Sequence, residues 1–203
     1  DFGEAALGQR HREAGGDQHV LAVLGDERRP VVAARVRDGT ENLARLEIAQ
    51  SEEAIEDLSR AIAFDNNNSE VYVLRGYAYL NASNAASAIK DFTRAIELNP
   101  ASVQAYQARG LAHGMADAFD EAYGDLNRAI ELDPRSAVAF AFRAFVYKQN
   151  QQVDVAGKDI ETALKLDANS PEVQWANGEI EEVRGRTDAA IAGLRKSLEL
   201  RPS

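Results

Sequence analysis

Ala88-Ile89-Lys90-Asp91-Phe92-Thr93-Arg94-Ala95-Ile96-Glu97-Leu98-Asn99-Pro100 returns 34 residues later as Ala122-Tyr123-Gly124-Asp125-Leu126-Asn127-Arg128-Ala129-Ile130-Glu131-Leu132-Asp133-Pro134. The frame continues upstream through Ala54-Ile55-Glu56-Asp57-Leu58 and downstream through Ala156-Gly157-Lys158-Asp159-Ile160 and Ala190-Ile191-Ala192-Gly193-Leu194. A period of this length marks a solenoid of stacked supersecondary units. Within each copy the apolar residues recur at i, i+4, i+7, i+8 and i+10, which predicts an amphipathic helix. Pro100, Pro134 and Pro202 follow these segments and cannot continue them.

A second pattern precedes each copy. Tyr72, Gly76 and Tyr79 form a large-small-large stripe at helical spacing, as do Tyr106, Gly110 and His113, and Phe140, Ala144 and Tyr147. The small residue lets a partner helix approach closely, and Ala88, Ala122, Ala156 and Ala190 do the same from the other side. Each unit therefore reads as a helix pair. Tyr72, Gly76, Tyr79, Ala88, Phe92, Ala95 and Pro100 match the tetratricopeptide repeat pattern, with Arg75 where the pattern has Leu. The chain resembles that family over roughly residues 40 to 203. The resemblance implies an all-α fold, a right-handed solenoid of antiparallel helix pairs with about four and a half units, spanning residues 39–203.

The end copies are poorer, as expected where a stack is capped. In the last unit Gln174 holds the first aromatic place with Trp175 beside it, Gly178 is kept, and Glu181 replaces the second aromatic. In the first unit Asp38 and Asn42 stand at the aromatic and glycine places, so a first helix over roughly Glu41 to Ala49 is weakly specified. Residues 1–38 do not fit the frame and read as an irregular or weakly structured lead, with a degenerate extra repeat as the alternative. The chain opens on Asp1, which reads as a fragment or processed product, and stops at Ser203 with no further polar helix to cover the last unit.

Net charge is −10, from 23 Lys and Arg against 33 Asp and Glu. That balance disfavours non-specific nucleic-acid binding, which needs cations along the phosphates. No apolar run approaches the length that spans a bilayer, so membrane insertion is not expected. The absence of Cys leaves cytoplasmic and exported locations undistinguished. His11 and His19 lack the i, i+4 spacing of a helical metal pair, and no phosphate loop, nucleophile elbow or zinc-protease motif occurs. His113 takes the place of Tyr79 and Tyr147 and reads as a packing residue. The adjacent acids Glu52-Glu53 and Glu181-Glu182 read as solvated. The tripeptides beginning at Asn67 and Asn81 have the form of glycosylation acceptors, but they fall at turns, where Asn and Ser also cap helices. No enzyme activity and no cofactor are expected.

The resemblance places partner binding on the concave face, lined by the first helix of each unit. Its frame puts Val73, Tyr77, Leu80 and Asn81 there, then Gln107, Leu111 and Met115, then Ala141, Phe145 and Lys148, and last Trp175, Glu179 and Glu182. This groove has an apolar middle and an acidic C-terminal end. A subfamily that holds acidic chaperone tails uses Lys, Arg and Asn at places occupied here by Val73, Tyr77, Gln104, Ala108 and Leu111, so that partner is disfavoured. The expected function is a protein-interaction scaffold for a protein or peptide with apolar and basic residues. A homo-oligomerisation module and an accessory domain of a larger enzyme are the alternatives.

Overall fold

The structure, a computed structural model, describes residues 39–200, with side chains from residue 50 onward. The expected lead at residues 1–38 lies outside the described residues. Among these, every element is a helix. A long helix, α1 (Gly39–Phe64), is followed by four pairs: α2 (Ser69–Asn81) with α3 (Ala85–Leu98), α4 (Val103–Met115) with α5 (Phe119–Leu132), α6 (Ala137–Gln149) with α7 (Val153–Leu166), and α8 (Pro171–Val183) with α9 (Thr187–Leu200). Helices pack on their sequence neighbours, and the first helices α2, α4, α6 and α8 also pack on one another in series. This is the expected all-α repeat fold.

The punctuation is periodic as well. Asn68, Ser102, Ser136 and Ser170 cap the four first helices, each side-chain oxygen accepting from a backbone N–H in the first turn. Ahead of them Asp65, Asn99, Asp133 and Asp167 each accept from the backbone N–H two residues on, which closes the turn between units. Within each pair the chain reverses through a residue at positive φ: Ser83, Asp117, Gln151 and Gly185. The frame places Ala49 at the corresponding point of the first unit, between Ile48 and Gln50. Left-handed backbone costs an alanine about 1 kcal/mol or more, whereas helix suits it well. The chain does not reverse there. The short first helix expected at Glu41 to Ala49 is instead the N-terminal part of the unbroken α1.

Three of the four pairs close on a space where a side chain is missing, and the other has Ala144 there. A Cβ on Gly110 would lie 2.6 Å from Leu126 Cγ, and one on Gly178 would lie 2.7 Å from Leu194 Cγ. Gly76 stands against the Phe92 ring in the same way. Ala88, Ala95, Ala122, Ala129, Ala156 and Ala163 are fully buried on the facing helices, so neither helix can move away without opening a void.

A polar ladder runs through the same contacts. Arg75 donates two hydrogen bonds to the Asp91 carboxylate, Nε to Oδ2 and Nη2 to Oδ1, both at 2.7 Å. Arg109 and Asp125 repeat this at 2.8 and 2.7 Å, and Arg143 and Asp159 at 2.7 and 2.9 Å. The remaining guanidinium nitrogen reaches back to the preceding unit: Arg75 to Ser59, Arg109 to Thr93, Arg143 to Asn127. Each guanidinium also lies over an aromatic ring, Tyr72, Tyr106 or Phe140. Arg75, which departs from the family's Leu, is thus a strut between two helices of one unit and the last helix of the unit before.

Removing one partner of such a pair strands a largely buried charge. Asp125→Ala is expected to lower stability by about 3 kcal/mol, while Arg109→Leu combined with Asp125→Leu restores it to within about 1 kcal/mol of the parent. Denaturant unfolding of the three proteins checks this, and equal stability of Asp125→Ala and the parent would rule out a structural role for the ladder.

Candidate functional site

The residues expected in the groove lie on the successive first helices, but they differ in what they offer. Val73, Leu80, Gln107, Ala141 and Phe145 are buried. Tyr77, Leu111, Lys148, Trp175 and Glu179 are partly buried, and Asn81, Met115 and Glu182 are exposed. Gln107 is held by a hydrogen bond from its amide to the Ser136 hydroxyl of the next unit. Ala108, which the chaperone-clamp comparison placed at the groove, is fully buried in the core between units.

Two clusters organise this face. In the first, Tyr77 sits edge-on to Phe92, with ring centroids 5.5 Å apart. Burial pushes the Tyr77 hydroxyl up to about 12, and the Glu172 carboxylate adds to the shift. Tyr77 belongs to α2 and Glu172 to the first turn of α8. Glu172 was not singled out from the sequence. It occupies the same frame place as Gln104, one residue into its first helix.

In the second cluster Trp175 packs against Phe145, with centroids 4.7 Å apart, and edge-on against Phe142 at 6.5 Å. Lys148 Nζ lies 5.1 Å from the Phe145 ring centre and donates to Glu179 Oε2 at 2.7 Å. The acidic end expected from Glu179 and Glu182 is therefore smaller, because Lys148 compensates Glu179. Trp175 is also the partner of two neighbouring rings, so it holds the fourth unit to the third. Trp175→Ala should cost about 2 to 3 kcal/mol in denaturant unfolding, through the void it leaves between the units; an unchanged unfolding curve would mean that the ring bears no load there.

Glu181 corrects the solvated reading of the acidic pairs. It is buried and accepts from Arg184 at 2.9 Å and from Arg186 at 3.1 Å. Burial alone would raise its pKa, but the two guanidinium partners hold it below the usual glutamate value. This ion triad replaces the aromatic of the other units. Glu52, Glu53 and Glu182 face water.

His113 is partly buried, with Nε2 3.9 Å from Asp125 Oδ2. Burial lowers its pKa, Arg109 lowers it further, and the opposing pull of Asp125 and Glu121 does not restore it. The folded protein then binds a proton at this site less readily than the unfolded chain, whose histidines titrate near about 6.5. Stability from this group is complete above that value and falls as the pH drops towards the folded-state pKa. Unfolding free energies measured between neutral pH and mildly acid pH should show this loss, and His113→Tyr should remove that share of the slope. An identical slope in the two proteins would place the effect elsewhere.

Among the described residues no group of three or more metal-binding side chains converges. No described helix is long and apolar enough to cross a membrane.

Comparison with known proteins agrees with this architecture. The tetratricopeptide repeat family model matches residues 73–137 and 144–203. No curated protein sequence matches significantly. The chain is similar in structure to a thermophilic TPR protein, TTC0263, of Thermus thermophilus, with TM-score 0.66, 22% identity and coverage of 80% of this chain and 92% of that one. It is also similar to a tetratricopeptide repeat protein of Parabacteroides merdae ATCC 43184, with TM-score 0.65, 24% identity and coverage of 80% and 64%. Similarity to MamA has TM-score 0.55 and 24% identity over 82% of this chain and 96% of that one. With the periodic helix pairs, the paired small and large residues and a family match over more than half its length, the chain belongs to the tetratricopeptide repeat family.

Proposed function

We propose that the chain is a protein-interaction scaffold whose concave face holds a peptide segment with an apolar anchor flanked by Lys or Arg. The fold is that of a family of protein-binding scaffolds. The observation that carries the finer reading is the side-by-side packing of the four first helices, which forms one continuous face from Tyr77 on α2 to Glu172 on α8. Between these ends the partly buried Leu111 and the exposed Met115, at 49% exposure, supply apolar surface that a ligand side chain can cover. Glu172 and Glu182 are exposed and flank that surface with negative charge. Apolar contact supplies most of the affinity, and the carboxylates select basic flanks and speed association. No residue is assigned a catalytic role.

The test uses a short fluorescent peptide with a Leu-Phe anchor between pairs of lysines. Binding should be saturable and should weaken as salt is added, because exposed charges are screened. Met115→Lys should weaken it by about fivefold or more and Glu172→Gln to a lesser extent, with little change in melting temperature, since both side chains are exposed and Gln keeps an acceptor for the Ser170 hydroxyl. Lys90→Glu, at an exposed place on α3, should leave the affinity nearly unchanged. Binding that ignores both groove substitutions would dismiss the groove as the site.

A further inference from the structure

Among the residues expected on the concave face, one pair is charged where its counterparts are not. Lys148 of α6 and Glu179 of α8 meet across the seam between the third and fourth pairs, with Nζ 2.7 Å from Oε2. The same two frame places hold Leu80 and Leu111 at the first seam between pairs, and Gly114 and Phe145 at the second. The charges are largely withdrawn from water, with side chains 14% and 24% exposed. An ion pair in such a place often stabilises no better than an apolar pair of similar volume, so packing alone does not account for it.

The surroundings of the Lys148 amine are those of a cation site. Nζ lies 5.1 Å from the centre of the Phe145 ring, within the range of attraction between a cation and an aromatic face. Trp175 packs on that ring with centroids 4.7 Å apart, and Phe142 stands edge-on to Trp175. Glu179 supplies the carboxylate. A ring face and a carboxylate gathered around one point suit the lysine or arginine of a ligand. Here the point is filled from within the chain. Lys148 stands three residues after Phe145 on the same helix, so its amine is held beside the ring at high effective concentration and outcompetes a ligand cation.

We infer that Phe145, Trp175 and Glu179 form a subsite for a lysine or arginine side chain, and that Lys148 is the specificity-determining residue that keeps it closed. The inference deepens the groove reading and rests on it for the nature of the natural ligand. With Lys148 in place, a bound segment sets its cations at Glu172 and Glu182 and is refused one between them. Shortening Lys148 opens the subsite and changes the preferred anchor from apolar to basic.

The probe is N-acetyl-arginine methylamide, with the neutral citrulline derivative as control. Each is titrated into the whole chain and read by the fluorescence of Trp175, the only tryptophan. Lys148→Ala should bind the arginine derivative saturably and at least about tenfold more tightly than the parent does, with no gain for the citrulline derivative. Adding Glu179→Gln should abolish that gain, and Lys148→Met, which refills the space without a charge, should not show it. Gly114 at the equivalent place of α4 shows that a first helix of this array forms without a side chain there. If Lys148→Ala nevertheless melts lower, the arginine derivative should raise its melting temperature and the citrulline derivative should not. No gain over the parent, an equal gain for citrulline, or a gain that survives Glu179→Gln overturns the inference. In the Leu-Phe peptide, exchange of the Leu for Lys should weaken binding to the parent and strengthen binding to Lys148→Ala. The single-residue probe does not need the rest of the groove. Failure of the peptide to bind, or its indifference to Met115→Lys, therefore dismisses the groove reading, while the arginine titration alone decides the subsite.

Discussion

The structure depends on a close approach between two helices, made possible where one of them lacks a side chain. Phe92, Leu126 and Leu194 fill the spaces beside Gly76, Gly110 and Gly178. In the remaining pair Ala144 takes the glycine place and Ile160 the large one, and both are buried. This contact fixes the register between the helices of a pair, and the register then fixes everything polar around it. Arg75, Arg109 and Arg143 stand one residue before the small residue, and Asp91, Asp125 and Asp159 stand one residue before the large one. Once the small and large residues meet, each arginine must meet its aspartate. The cost of burying that pair is offset by two-point geometry, a third acceptor and an aromatic ring beneath the guanidinium.

The third acceptor gives the ladder its reach. Ser59, Thr93 and Asn127 belong to the unit before, so each arginine ties two units together. Stability in such arrays is carried by neighbouring interfaces rather than by one central core. The ladder stops at the fourth pair, where Asn177 and Gly193 replace arginine and aspartate. A Cβ at Gly193 would lie 3.1 Å from the Gly178 backbone nitrogen, so glycines face each other there. The fourth pair is tied to the third through Trp175, Phe145, Lys148 and Glu179 instead. Trp175 and Phe145 meet at this seam, and Phe145 is buried in it.

Much of this was legible in the sequence, because the repeat prints the same local physics several times. The helices, their pairing, the small and large residues and the turns all recur at one period. The ladder recurs too, but Arg75 viewed alone is only a departure from a pattern. Its partner becomes visible when the pair register is applied to all three copies. Glu181 was misread for a different reason. Sequence gives its arginine neighbours but not that the chain curls back at Gly185 to bring them over it. The burial of Val73, Leu80, Gln107 and Phe145 was beyond the sequence because it depends on how steeply successive units are rotated. By contrast, the missing reversal at Ala49 had a local signal, since Ile48-Ala49-Gln50 offers no Gly, Asn, Asp or Ser to enter the turn.

The division of the concave face between packing and exposure constrains what it can bind. A ligand gains little from residues already covered by the next unit, so its apolar contact must come from Leu111, Met115 and the open edges of Tyr77 and Trp175. Charge acts differently, because Glu172 and Glu182 lie at opposite ends of α8 and are not compensated as Glu179 is by Lys148. A ligand that matches both must place its cations about two to three helical turns, or roughly 15 Å, apart along α8. An extended segment spans that distance in about five residues, which leaves room for one apolar anchor between the cations. On the proposed groove reading, selectivity comes from the spacing of charges around a single anchor rather than from the depth of a pocket.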